Sequence, residues 1–101
     1  MRGQVYRCDI GFGPKPWLVV SNNQRNRKLS SLLAARITTT DKHAALPTLV
    51  PLGHDDPLTG YVHTDDLQQL GRDELGQLLG SLAPVTIMRV NEALRIVLGL
   101  P

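Results

Sequence analysis

Lys15 stands between two prolines in Gly13-Pro14-Lys15-Pro16-Trp17, and each proline restricts the backbone beside it. The apolar run Trp17-Leu18-Val19-Val20 follows directly. A cation held that rigidly at the mouth of a core strand suits catalysis or phosphate binding; a solvated turn lysine is the other reading. Ile37-Thr38-Thr39-Thr40 closes a second apolar stretch. Strand geometry puts Thr38 and Thr40 on one face and Thr39 on the other. Such threonines are usually structural, but they also set hydroxyls at fixed positions, which matters if a phosphate comes near. Phe12, between two glycines, is hard to bury and could stack on a base or fold back on its own turn.

Other reactive residue types point to less. Cys8 is the only cysteine, alternates with Tyr6 and Ile10, and reads as a small core residue. It allows no internal disulfide, which fits a reducing, cytoplasmic setting. His43, His54 and His63 lack metal-ligand spacing, so neither a metal site nor a cofactor is expected. Asp65 and Asp66 are adjacent in an extended segment, where neighbouring side chains diverge, so a shared carboxylate site is not expected.

The elements that must position these residues fit one domain, residues 1–101. Apolar residues make up 42% and charged residues 20%, and no run approaches the roughly 20 apolar residues that cross a bilayer. The start, Met1-Arg2-Gly3-Gln4, passes straight into a strand pattern, so no signal peptide is expected. The net charge is +2 but uneven: residues 1–43 carry eight Lys/Arg against two Asp, and residues 44–101 three against seven acids. A basic first half suits a polyanion unless folding mixes the halves.

Alternation predicts a strand over Gln4 to Ile10, joined by Gly11-Phe12-Gly13-Pro14 to a buried strand over Trp17 to Val20. The polar stretch 22–28 reads as a loop, 31–39 as a strand, and 41–46 as a loop. Proline-bracketed 47–52 reads as an edge strand, and Tyr61 begins another that runs toward Leu70. A short turn of helix is expected from Arg72, with Leu75, Leu78 and Leu79 left as helical or extended. Pro84 opens a last helix with a buried stripe of Ile87, Val90, Leu94 and Val97, widened by Met88 and Leu98, and Gly99 ends it. Such a helix closes the barrel or joins a dimer. Short strands with close turns and one terminal helix give a mainly β, barrel-like sheet.

Several segments together resemble the MazF/PemK family of toxins. Arg2-Gly3-Gln4-Val5-Tyr6 with Asp9-Ile10 is similar to that family's first strand, and Lys15-Pro16-Trp17-Leu18-Val19-Val20-Ser21 to its second. Ala35 to Thr39, Leu46-Pro47-Thr48, Asp65 to Leu70, Asn91-Glu92-Ala93-Leu94 and Leu98-Gly99-Leu100 continue the likeness along nearly all of the chain. The Lys-Pro-Trp-Leu form with Val-Ser-Asn-Asn resembles the actinobacterial branch.

The resemblance implies an SH3-like small barrel of the CcdB/MazF type with a C-terminal α-helix, forming a homodimer. It also implies a metal-independent endoribonuclease, or mRNA interferase, that cuts single-stranded RNA at short sequences by 2′-hydroxyl attack. The family's catalytic positions carry over to Lys15 and Thr38. Lys15 departs from the family's arginine: a point charge cannot grip two phosphate oxygens as a planar fork does. It can still stabilise the pentacoordinate phosphate and can protonate the leaving oxygen. The family's acidic loop residue has no counterpart in the short Gly11 to Pro14 connection. RNA contacts carry over by position to Phe12, Thr39, Leu46, Asp66 and Gln68, any of which could instead be packing or solvated. A cognate antitoxin with an acidic C-terminal segment is the implied partner. Two alternatives stay open: a CcdB-like gyrase-binding toxin, against which the lack of a tryptophan near Leu98-Gly99-Leu100-Pro101 weighs, and a catalytically silent RNA-binding module.

Overall fold

The computed structural model describes residues 1–40 and 45–101, and the expected loop around His43 falls largely outside them. Alternating and apolar runs become six strands: β1 (Gln4–Asp9), β2 (Pro14–Val19), β3 (Ser31–Thr38), β4 (Leu49–Pro51), β5 (Tyr61–Gly71) and β6 (Leu78–Ser81). They form one antiparallel sheet in the order β4-β5-β3-β2-β1-β6, a curled half-barrel whose edges are the short β4 and β6. The proline-bracketed strand thus lies at an edge, as its sequence predicts.

The sheet buries side chains on both faces. Val5, Leu18, Ala35, Ile37, Val50 and Val62 form one cluster with Val90 and Ala93 of the terminal helix α2 (Pro84–Leu98). Cys8, Trp17, Val19, Leu32, Ala34 and Leu70 form a second cluster, with Tyr6 and Ile10 against it. β2 serves both, with Leu18 on the helix side and Trp17 and Val19 on the other, as its unbroken apolar run requires.

Two elements differ from the sequence reading. Residues 23–28, expected as loop, form the helix α1 (Asn23–Lys28). Asn22 caps it by accepting the Gln24 N–H at 2.7 Å. Its anchor is polar: the buried Asn26 donates to the Ser21 carbonyl at 2.9 Å, and the Ser21 hydroxyl bonds Asn26 Oδ1 at 2.5 Å. No apolar stripe announces a helix held in this way. The stripe of α2 is also rotated. Val90 is buried and Ile87 and Leu94 pack against the core, but Met88 is 68% exposed and Leu98 is exposed. Thr86 and Ala93 are buried in their place. Asp56, in the loop between β4 and β5, accepts from Ala83 N–H at 2.8 Å and Thr86 Oγ1 at 2.7 Å, which draws that side of the helix inward. The small Ala93 lets the helix approach the sheet closely.

Arg72–Glu74 forms a single 3-10 turn before β6, and β6 completes the sheet by pairing with β1. Gly99 ends α2 with φ +67°, and Leu100 N–H returns to the Arg95 carbonyl at 2.9 Å.

Candidate functional site

The face of the sheet opposite α2 carries the residues of interest. β1 and β2 join through a tight turn in which Gly11 and Gly13 have φ +114° and +82°, values that favour glycine. Phe12 between them is held at the tip, 82% exposed. β2 pairs with β1 from Pro14 onward but with β3 only from Trp17 onward. The first three residues of β2 therefore have one open side, where prolines leave no ladder bond unmade. Lys15 is exposed there, on the same side of the pleat as Trp17.

Trp17 lies across from Arg36 of β3. Lys15 and Thr38 each lie two residues beyond that pair on their own strands and in phase with it, so all four side chains leave the same face of the sheet. Lys15, Arg36, Asp66 and Gln68, with Ile10, Phe12 and Trp17, line a cavity of about 210 Å³. Asp66 reaches it because β5 bulges. Ala35 pairs with Leu67 and Arg36 with His63, so Thr64, Asp65 and Asp66 are extra residues between those pairs. Within the bulge, Thr64 is buried and donates to the Thr48 carbonyl at 2.5 Å. Asp65 accepts from Thr48 Oγ1 at 2.6 Å, while Asp66 pairs with Arg36 Nε at 3.0 Å. The two aspartates part to different partners, as the sequence reading expects.

Of the residues singled out from sequence, Phe12, Lys15, Asp66 and Gln68 share the cavity. Thr38 is on the same face without lining it, and its Oγ1 accepts from Thr40 N–H at 3.2 Å. Its carbonyl is crowded by Gly60, where a Cβ would come within 2.5 Å of it at φ +131°. Thr39 is exposed just past the end of β3. Leu46 is exposed in the turn before β4 and is not part of the cavity lining.

Sequence reasoning missed Arg36 and the indole N–H of Trp17. Trp17 is 3% exposed and its Nε1 is buried without a partner. The signal for Arg36 was present: a lone charge in Leu32-Leu33-Ala34-Ala35-Arg36-Ile37, in phase with Thr38. A neighbouring cavity of about 280 Å³ on the same side includes Tyr6, Leu32, Arg27 and Arg72. The two cavities together hold four Lys/Arg against the one acid Asp66, so their lining is cationic after folding.

Cys8 is buried, and its thiol is raised above its ordinary pKa chiefly by loss of solvent, so it stays an unreactive core group. Burial alone would raise Asp56, but hydrogen bonds from Gly53 and Ala83 N–H and the Thr86 hydroxyl outweigh it and hold the carboxyl below its usual value.

Residues 1–98 match the family described as PemK-like, MazF-like toxin of type II toxin-antitoxin system. Endoribonuclease MazF1 of Mycobacterium bovis and Endoribonuclease MazF4 of Mycobacterium tuberculosis are each 54% identical over 101 residues, covering 100% of this chain and 94% of theirs. A solved mycobacterial endoribonuclease in complex with its cognate antitoxin superposes with a TM-score of 0.95 at 54% identity, covering 100% of this chain and 96% of that one. MazE-MazF from Deinococcus radiodurans shares the fold, with a TM-score of 0.83 at 22% identity over 99% of this chain and 95% of that one.

Proposed function

The chain belongs to the PemK-like, MazF-like toxins of type II toxin-antitoxin systems, and from that premise we propose that it is a sequence-specific endoribonuclease in which Lys15 and Thr38 act on one scissile phosphodiester of single-stranded RNA. The observation that supports the reading is the cavity that Lys15 and Arg36 line together, with Thr38 leaving β3 on the same face as Arg36. The ribose 2′-hydroxyl oxygen bonds to phosphorus as its proton leaves to water. The phosphorus–5′-oxygen bond then breaks, and the products are a 2′,3′-cyclic phosphate and a 5′-hydroxyl. The Lys15 ammonium stabilises the extra negative charge of the pentacoordinate phosphorus and gives a proton to the departing 5′-oxygen. Thr38 already accepts from Thr40 N–H, so its own O–H proton can be donated to a non-bridging oxygen. Phe12, Thr39, Leu46 and Gln68 contact the flanking nucleotides, and Asp66 acts there through its ion pair with Arg36.

One toxin domain spans residues 1–101 and acts in the cytoplasm; no helix among the described residues is long and apolar enough to cross a membrane. An acidic antitoxin segment covers the cationic face. A second copy of the chain covers the apolar groove of about 610 Å³ between α2 and β4, where Met88 and Ile96 are exposed. The endoribonuclease names of the relatives weigh against the gyrase-binding alternative.

The test compares wild type, Lys15→Ala and Lys15→Arg on an RNA oligonucleotide centred on a cut site mapped by sequencing cleaved ends. Lys15→Ala should lose roughly 10²–10³-fold in cleavage rate, as expected when a charge-stabilising donor is removed, and Lys15→Arg should retain part of it. Wild-type activity in Lys15→Ala removes Lys15 from the mechanism.

A further inference from the structure

We propose that Arg36 is the phosphate clamp of this site, supplying the planar, two-pronged grip that Lys15 cannot, and that Asp66 is the residue that positions it. The proposal rests on reading the cavity as the place where the phosphodiester binds. Arg36 Nε is fully buried and lies 3.0 Å from Asp66 Oδ2 as an ion pair, without the alignment of a hydrogen bond. The Arg36 side chain is nonetheless 39% exposed, so the exposed part is the Nη end. Neither Nη makes a hydrogen bond or ion pair with a described residue. The guanidinium is therefore held by one edge and offers the other, the arrangement that suits bidentate contact with two phosphate oxygens.

Its surroundings fit an anion. Arg36 shares the cavity with Lys15, so two cations face one carboxylate. Arg36 is also in phase with Thr38 on β3, so the two side chains leave the same face of the strand. Trp17, directly across from Arg36, lines the same cavity and backs the guanidinium with an aromatic wall. The bulge of β5 makes the arrangement possible: its three extra residues, Thr64 to Asp66, bring a carboxylate beside the Arg36 side chain where a regular ladder would continue past it. The phosphate's charge is thus met here by two groups, a point charge at Lys15 and a fork at Arg36.

The experiment uses full-length wild type, Arg36→Gln, Arg36→Lys, Asp66→Asn and Lys15→Ala, each checked by thermal melting. Single-turnover cleavage is measured on the mapped RNA oligonucleotide. Binding is measured over a salt series on the same oligonucleotide with 2′-deoxyribose at the cut site, which removes the nucleophile. Arg36→Gln should lose about 10²-fold in cleavage rate, and its slope of log affinity against log salt should shrink by about 0.7, the loss of one phosphate contact on a single strand. Arg36→Lys should keep the salt slope yet recover little of the rate, since it restores the charge without the fork. Asp66→Asn should lose about tenfold in rate with its salt slope kept, as expected of a positioning residue. Cleavage at the wild-type rate by Arg36→Gln, or full rescue by Arg36→Lys, overturns the clamp. If Lys15→Ala cuts normally while both Arg36 variants fail, the Lys15 assignment falls and the clamp stands. If wild type cuts no RNA yet its binding depends on Arg36 through the salt slope, the nuclease reading falls and the phosphate site stands.

Discussion

The two faces of β2 differ in what they leave unfinished. On one face Leu18 is fully buried beneath α2, among Ala35, Ile37, Val62 and Val90. On the other face the same strand begins with exposed Lys15, continues with a tryptophan whose N–H is unpaired, and borders a cavity lined by a half-held arginine. The first face is a completed core. The second retains donors and positive charge for which the described residues supply one carboxylate. Trp17 and Val19 also pack in the second cluster, so β2 keeps its fold through the apolar run that starts at Trp17 and presents chemistry at its exposed first residues; damage at Leu18 and at Lys15 should therefore separate.

The largest effect expected from breaking that separation is on the core side. Leu18→Ala should cost about 2–5 kcal/mol of unfolding free energy, as for other buried leucines. Below its lowered melting temperature it should cut RNA at a normal rate per folded molecule. Lys15→Ala should do the reverse, with its melting temperature unchanged and cleavage lost. Denaturant unfolding and single-turnover cleavage on both variants test the pair, and loss of both properties in either variant refutes independent faces.

Gly60→Ala should couple what the other variants separate. A Cβ there would sit 2.5 Å from the Thr38 carbonyl, at φ +131°. The strained backbone should cost about 1–3 kcal/mol of stability. The displaced Thr38 should lower cleavage by an order of magnitude or more, since misplacement by about 1 Å can cost 10²-fold. Unchanged cleavage in a folded Gly60→Ala protein argues that the position of Thr38 does not matter.

Asp56 sharpens the comparison from the helix side. It caps α2 from another loop, where Ala83 offers no side-chain cap of its own. Asp56→Ala should destabilise by about 1–2 kcal/mol, the range for a lost cap. Because the folded-state pKa is depressed, the stabilisation is present above the unfolded value of about 3.9 and is lost as pH falls through the folded value. Unfolding curves from pH 7 downward should therefore converge for wild type and variant at the acid end. A gap that persists there means that Asp56 acts by packing and not by charge.

How much of this was legible in the sequence follows the same division. Leu18, Val19, Ile37 and Val62 declared their strands by apolar runs and β-branched side chains, and Pro84 and Gly99 marked the ends of α2. α1 was hidden because it is held by Asn26 and Ser21 rather than by an apolar stripe. β6 is ambiguous in sequence because Leu78-Leu79-Gly80 suits either state until β1 is there to pair with it. In the site, the flanking prolines pointed to Lys15, and the pairing of Arg36 with Asp66 stayed hidden. That pair depends on a bulge, and a bulge is a count of residues relative to a partner strand, which no single strand's pattern contains. Lys15 was visible because its constraint is local, whereas Arg36 acquires its place only from tertiary pairing.

Phe12 tests the outer rim of the open face and should give the smallest effect. At 82% exposure it contributes little to the core, so Phe12→Ala should leave the melting temperature within experimental error. If its ring stacks on a nucleotide, the loss should be about 1 kcal/mol, roughly fivefold in affinity for the 2′-deoxy oligonucleotide. Because stacking tolerates any base, the weakening should be similar across sequences flanking the cut site, and Phe12→Trp should restore it. The salt slope should not change, since no charge is removed, which distinguishes this variant from Arg36→Gln on the same titration. A lower melting temperature with unchanged affinity would instead make Phe12 a prop for the turn, with its exposure incidental to RNA.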